Sequence, residues 1–245
     1  MTSSAFGFDR HISVFSPEGR LYQIEYVYTA IRAAGNTTIG VRGEETVCVV
    51  TQKKVPDKLT DPTTVTSMFT ITNNIGCAMT GIRADMKTAV QRLRYFAHRF
   101  EYENGFEIPV SHLARKMADF FQLFTQHAFM RPLGLAITLI GIDEEVGPQL
   151  YKIEPSGYFL GYKATCVGQK EQEGTNFLEK KIKKETKLNK DETIQLAISS
   201  LQSVLGVDFR PSDIEVGIVE KDSPKFTLLS EELIDSHLTA ISERD

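Results

Sequence analysis

Strand-forming and helix-forming segments alternate in groups along this chain, and that alternation limits the fold more than any single motif. NTTIGVRG and TVCVVTQ flank a Gly-Glu-Glu turn and predict a β-hairpin over 36–52. MFTIT (68–72) and IGCAMTG (75–81) predict a second pair around Asn73-Asn74. Two helices follow. Met86, Val90, Leu93, Ala97 and Phe100 keep a helical period, as do Val110, Leu113, Met117, Phe120 and Phe124, with Gly105 and Pro109 between the stripes. Strands over 134–142, 148–153, 158–162 and 164–168 come next, then helices over about 175–187 and 191–205, the latter opened by an Asn189/Glu192 capping box. A strand at 214–220, a short one near 226–229 and a Ser230-capped helix to Ile241 close the chain.

Two sheets packed face to face, with helix pairs outside, bury these apolar faces most economically. The expectation is an α/β (α+β) fold: a four-layer α-β-β-α sandwich forming one domain over 36–245. With 245 residues, 41% of them hydrophobic, the chain has ample apolar mass for such a core. Leu21, Ile24, Tyr28 and Ile31 predict a further helix over 19–34 that stands outside the alternation, so residues 1–35 read as a separate leading segment.

Signatures of chemistry are sparse. The chain carries no P-loop, H-E-x-x-H, G-x-S-x-G or G-x-G-x-x-G, and its five histidines show no ligand-like grouping, so no cofactor and no metal are expected. Asp143-Glu144-Glu145 lies between two strands and reads as a solvated turn. Cys48, Cys77 and Cys166 each sit in an apolar run and read as buried free thiols of a reducing compartment. MTSSAFGFDR lacks the pattern of a secretory signal, and the apolar run LGLAITLIGI is too short to span a bilayer, which predicts a soluble, intracellular protein without a membrane partner. Lys180, Lys181, Lys183 and Lys184 form a basic run whose default reading is a solvated helix face. Nuclear import is a second reading. Nucleic-acid binding is a weaker third, since no stacking platform accompanies the lysines and net charge is −4.

The first residues are unusual. FDRHISVFSPEGRLYQIEY (8–26) gathers aromatic rings around a Ser-Pro-Glu-Gly turn where most chains are loose and polar. This stretch resembles the N-terminal signature of proteasome α-type subunits, the non-catalytic ring subunits of the 20S core particle. QKKVPDKL (52–59), TGIRAD (80–85), FTQHAFMRPLG (124–134) and GPQLYKIEPSGYFLGYKAT (147–165) resemble further family segments in the correct order, and 52–65 with 125–134 look most like a single paralogue. The resemblance implies the αββα sandwich of N-terminal-nucleophile hydrolases, carrying an extra N-terminal helix.

The related β subunits are threonine hydrolases, needing a threonine with a free α-amine, helped by an aspartate and a lysine. By resemblance the threonine position falls on Asn36 and the aspartate position on Gln52. Neither amide serves as nucleophile or base at neutral pH, and 35 residues precede Asn36. The expected function is therefore ring assembly, pore gating and docking of regulatory particles for ATP- and ubiquitin-dependent protein degradation, in cytoplasm and nucleus. Implied partners are neighbouring α subunits in a heteroheptameric ring, β subunits of the adjacent ring, and activator C-terminal tails. Phe8, Asp9, Arg10, Pro17, Gly19 and Tyr26 carry the implied gate and ring contacts, with residues 1–7 as the movable tail. Two departures stand out. Phe8 replaces the family's usual tyrosine, and Ser67 falls where many α subunits place the lysine that accepts an activator's terminal carboxylate. An active hydrolase of the same fold and a nuclear binding protein using the lysine run are the alternatives.

Overall fold

A computed structural model describes residues 7–183 and 187–243. After a single 3-10 turn at Phe8–Arg10, the elements run α1 (Tyr22–Ala33), β1 (Thr37–Arg42), β2 (Thr46–Gln52), β3 (Met68–Thr70), β4 (Ile75–Gly81), α2 (Arg83–Asn104) and α3 (Val110–Leu123). They continue as β5 (Leu135–Asp143), β6 (Gly147–Ile153), β7 (Phe159–Gly161), β8 (Ala164–Gly168), α4 (Glu171–Ile182), α5 (Lys190–Leu205), β9 (Ile214–Glu220), β10 (Thr227–Leu228) and α6 (Glu231–Ser242). The strands form two five-stranded antiparallel sheets, ordered β10-β9-β2-β1-β8 and β3-β4-β5-β6-β7.

Side chains alternate along each strand, so each sheet has two faces to cover. In the first sheet Ile39, Val41, Cys48, Val50, Val216 and Ile218 face outward under Leu178 of α4, Ile194, Ile198 and Leu201 of α5, and Ile234 of α6. In the second, Ile75, Cys77, Met79, Leu135, Ile137 and Leu139 lie under Met86 and Leu93 of α2 and Leu113, Met117 and Phe121 of α3. The alternate residues Val47, Val49, Ala78, Ile140, Leu150 and Val219 meet between the sheets, with Met68 and Phe226. Three apolar layers inside four layers of structure make the expected α-β-β-α sandwich. Burial on both faces also explains why the strands read as nearly continuous apolar runs.

The inner layer is tight. Phe226 lies where Gly76 of one sheet and Gly217 of the other leave room: a Cβ at Gly76 would sit 2.0 Å from the ring, and one at Gly217 2.7 Å. All three cysteines are free and buried, and burial pushes the Cys77 thiol up to about 12. Asp143 closes the β5–β6 turn by accepting N–H bonds from Glu145 and Val146, both at 3.0 Å.

Two helix starts differ from their sequence readings. The first helix begins at Tyr22, not 19, because Ser16–Arg20 is a closed turn: Gly19 N–H donates to the Ser16 carbonyl (2.8 Å) and Ser16 N–H to the Arg20 carbonyl (2.9 Å). Helix α4 begins at Glu171, not 175. Gly174 lies inside it as a packing residue, since a Cβ there would stand 2.3 Å from Cys166 Sγ. This helix also ends at Ile182, short of 187; residues 184–186 lie outside the described residues.

Substituting Gly76→Ala should lower stability by about 1–3 kcal/mol, because the added methyl displaces Phe226 from the inner layer. Thermal unfolding of the variant checks this, and an unchanged Tm contradicts it.

Candidate functional site

The leading segment folds back on the helix it precedes. Gln23, in the first turn of α1, donates from Nε2 to the Asp9 carbonyl. Ile12 and Ser16 are buried, and Ser16 Oγ accepts the Arg20 N–H at 3.2 Å. Arg20 pairs with Glu25 and lies over the Tyr22 ring at 4.9 Å from its centroid; the guanidinium holds the Glu25 carboxyl below its ordinary value. Tyr22 in turn stacks on Tyr26 with centroids 6.4 Å apart. What this framework leaves outside is apolar: Val14 and Tyr26 are exposed, and Phe15 is 65% exposed.

The structure thus gathers the predicted residues Phe8, Asp9, Arg10, Pro17, Gly19 and Tyr26 in one folded unit. Phe8 and Asp9 are half-buried, while Arg10, Pro17 and Gly19 are exposed. Gly19 adopts a φ of 76°, which closes the turn begun at Pro17. Residues 1–6 of the expected tail lie outside the described residues. Ser67 sits elsewhere, at the start of β3. It is buried, donating its N–H to a Glu215 oxygen (3.0 Å) and accepting the Met79 N–H at its carbonyl (2.9 Å). Lys180, Lys181 and Lys183 are exposed at the end of α4, Lys181 lying 5.7 Å from the Phe177 ring; Lys184 is outside the described residues.

Asn36, just before β1, and Gln52, at the end of the paired strand β2, lie at the same end of the first sheet. Asn36 is buried and its carbonyl accepts the Gln169 N–H (3.4 Å); Gln52 Oε1 accepts the Thr37 N–H (3.3 Å). Beside them Thr38 bonds Thr51 and Thr80, each at 2.8 Å between hydroxyl oxygens. The buried Thr37 hydroxyl has no partner among the described residues. Helix α1 closes over this end, placing Ile31 on Ala136 and Val167, with Val27 at the margin.

Two ionic clusters escaped sequence reasoning. Asp85, in the first turn of α2, is buried and holds Arg131 through two bonds (2.7 and 2.8 Å) and the Gly134 N–H (2.8 Å). Arg83 Nη2 donates to the Lys54 carbonyl at 3.0 Å. The segments QKKVPDKL, TGIRAD and FTQHAFMRPLG therefore converge on the N-terminus of α2, and two of them carry a fully exposed apolar side chain, Leu59 and Phe129. The second cluster joins Tyr28 of α1 to Lys152, Glu154 and Ser156 in and after β6, and to Glu171 of α4. The only sequence signal for it is a lysine and a glutamate two apart at the end of an otherwise apolar strand.

Comparison with known proteins agrees with this geometry. Residues 33–219 match the family model described as proteasome subunit, and residues 8–30 match the model for the N-terminal signature of A-type proteasome subunits. A Schizosaccharomyces pombe protein, named as a probable alpha type-1 proteasome subunit, is 50% identical over 99% of this chain and 100% of its own length. The alpha type-6 proteasome subunit of Caenorhabditis elegans is 45% identical over 99% of this chain and 98% of its own. The proteasome alpha subunit of Saccharolobus solfataricus is 34% identical, with 94% of each chain covered.

Arg131 holds the Asp85 carboxyl below the ordinary carboxylate range, aided by the Gly134 N–H and opposed by burial. A depressed folded pKa gives stability that is present above the unfolded value, about 3.9, and lost as pH falls through the folded one. Asp85→Asn should therefore cost about 1.5–3 kcal/mol near neutrality and make acid unfolding less steep below about pH 4. Urea titrations of both proteins at neutral and acid pH test this. An equal loss at every pH would contradict it.

Proposed function

The chain belongs to the proteasome subunit family as an α-type member, and from that membership we propose that its leading segment is a ring contact and part of the gate over the pore. It is a non-catalytic α-ring subunit of the 20S core particle. The folded unit at 8–26 carries the gating reading: Gln23 of α1 holds the Asp9 carbonyl, while Phe15 and Tyr26 stay exposed among the described residues. Large aromatic rings presented on an ordered frame are what a neighbouring subunit buries at low entropic cost.

In this reading residues 1–35 serve the ring and gate, and residues 36–245 form the body. The ring is heteroheptameric, the β subunits of the adjacent ring lie below it, and activator tails dock above. A gate needs two arrangements close enough in free energy for a regulator to exchange them; moving a 1:99 balance to 99:1 takes about 5.5 kcal/mol of differential binding. Short side-chain ties such as Gln23 to Asp9 are individually weak enough to be exchanged. Phe8 in place of tyrosine lacks a hydroxyl for a neighbour and makes this tail a modified latch. With Ser67 in place of a lysine, either a neighbouring subunit supplies the cation for an activator's carboxylate or the pocket holds such tails weakly. The loss of catalysis traces to Asn36 and Gln52: the first has its nitrogen inside a peptide bond, and the second has no carboxylate. The subunit works in cytoplasm and nucleus, with the run Lys180–Lys184 as an import element.

Core particles assembled with this chain lacking residues 1–12 should hydrolyse a fluorogenic peptide severalfold faster in the absence of activator, with the active-site cleavage rate unchanged. Asp9→Ala should act in the same direction more weakly. An unchanged basal rate in the truncated particle contradicts the gating role. The purified chain alone should show no peptide turnover; turnover abolished by Asn36→Ala would overturn the non-catalytic reading.

A further inference from the structure

Lys152 is an ammonium on an apolar strand, 8% exposed, and such groups persist in a core only when paired. Its partners come from two elements: Glu154, beyond the end of its own strand, at 2.9 Å, and Glu171 in the first turn of α4. Burial works against the charge, but Glu171 and Glu154 more than offset it and hold the Lys152 pKa raised. The remaining oxygen of Glu154 accepts the Tyr28 hydroxyl at 2.6 Å, and Ser156 Oγ stands 3.2 Å from the same hydroxyl. One connected set of polar groups thus ties α1 to β6, to the turn that follows it and to α4.

The other attachments of α1 to the sandwich are of a different kind. Ile31 and Val27 rest on Ala136 and Val167, a small apolar patch without directional preference. On the α4 side the helix is not wedged: a cleft of about 460 Å³ opens between Tyr28 and Arg32 on one wall and Gln169, Gln172 and Thr175 on the other. Beneath Tyr28, by contrast, the space shared with Lys152, Glu154 and Glu171 shrinks to about 10 Å³, room for a single water. The C-terminal end of α1 is fixed by its run into β1 and by the Lys54 bond to the Gly35 carbonyl. Along the body of the helix apolar contact alone would let it roll toward the cleft, and among the described residues the Tyr28 hydroxyl supplies the directional side-chain bond from that body to the sandwich.

We propose that Tyr28, held by the carboxylate that Lys152 orients, is the positioning residue of the leading helix. It sets the roll of α1 on the sandwich, and so the placement of the 8–26 unit that α1 carries. The inference rests on the reading of that unit as a ring and gate element, and extends it: movement of the gate is coupled to the body of the subunit through one ion cluster built on the buried Lys152.

The test is made in assembled core particles carrying Tyr28→Phe, which keeps the ring and removes the hydroxyl. Amide hydrogen exchange over 22–33 should quicken by about tenfold or more, while β4 to β6 keep their protection. Basal peptide hydrolysis should rise. Lys152→Met, which removes the cation from between two carboxylates, should quicken the same amides. Unchanged exchange over 22–33 in Tyr28→Phe overturns the positioning role. Faster exchange with unchanged hydrolysis upholds it and overturns the gating reading on which the coupling rests, so the two failures are told apart.

Discussion

Close contact between the two sheets is the constraint on which the rest of this structure depends. Val47, Val49, Ala78, Ile140, Leu150 and Val219 fill the space between them, and Phe226 enters it only because Gly76 and Gly217 lack side chains. A layer of this kind tolerates little displacement, since protein interiors are packed like crystals. It fixes the separation and register of the sheets. Through them it fixes where β1 and β2 deliver Asn36 and Gln52, and where β6 and β8 deliver the groups that meet α1.

The same scaffold in a catalytic relative must leave the end of the first strand open to substrate and begin the chain there. Here that end is closed twice. Covalently, Asn36 follows a helix. Physically, Ile31 of that helix lies on Ala136 and Val167, and Lys54 donates to the Gly35 carbonyl at 2.5 Å. The remaining hydroxyls of the region, Thr38, Thr51 and Thr80, bond one another. The end of the sandwich that a catalytic relative keeps open is here the seat of a helix, and that helix carries the 8–26 unit proposed above as a ring contact.

The layered fold was legible because its determinants are local and periodic. Ile75, Cys77 and Met79 alternate with Gly76, Ala78 and Thr80 within one strand, and a reader of the sequence sees both faces at once. Helix ends were less legible where tertiary packing overrode local preference, as at Gly174, whose missing side chain accommodates Cys166. The polar clusters were not legible at all. Asp85 and Arg131 are 46 residues apart, and Tyr28 and Glu154 are 126 apart. Nothing in either neighbourhood announces its partner; only the packing of α2 against the 124–134 loop, and of α1 against β6, brings them together. The leading segment was recognised by resemblance, and its backbone ties to α1 became visible only in three dimensions.

Solvent accessibility measured side chain by side chain tests whether 8–26 is an ordered assembly surface. Hydroxyl-radical footprinting of the free chain and of the assembled core particle reads Phe15 and Tyr26 in both states. Both rings should be oxidised readily in the free chain, where they are exposed, and become protected on assembly, while the buried Tyr22 changes little. Equal oxidation of Phe15 and Tyr26 before and after assembly would contradict the account.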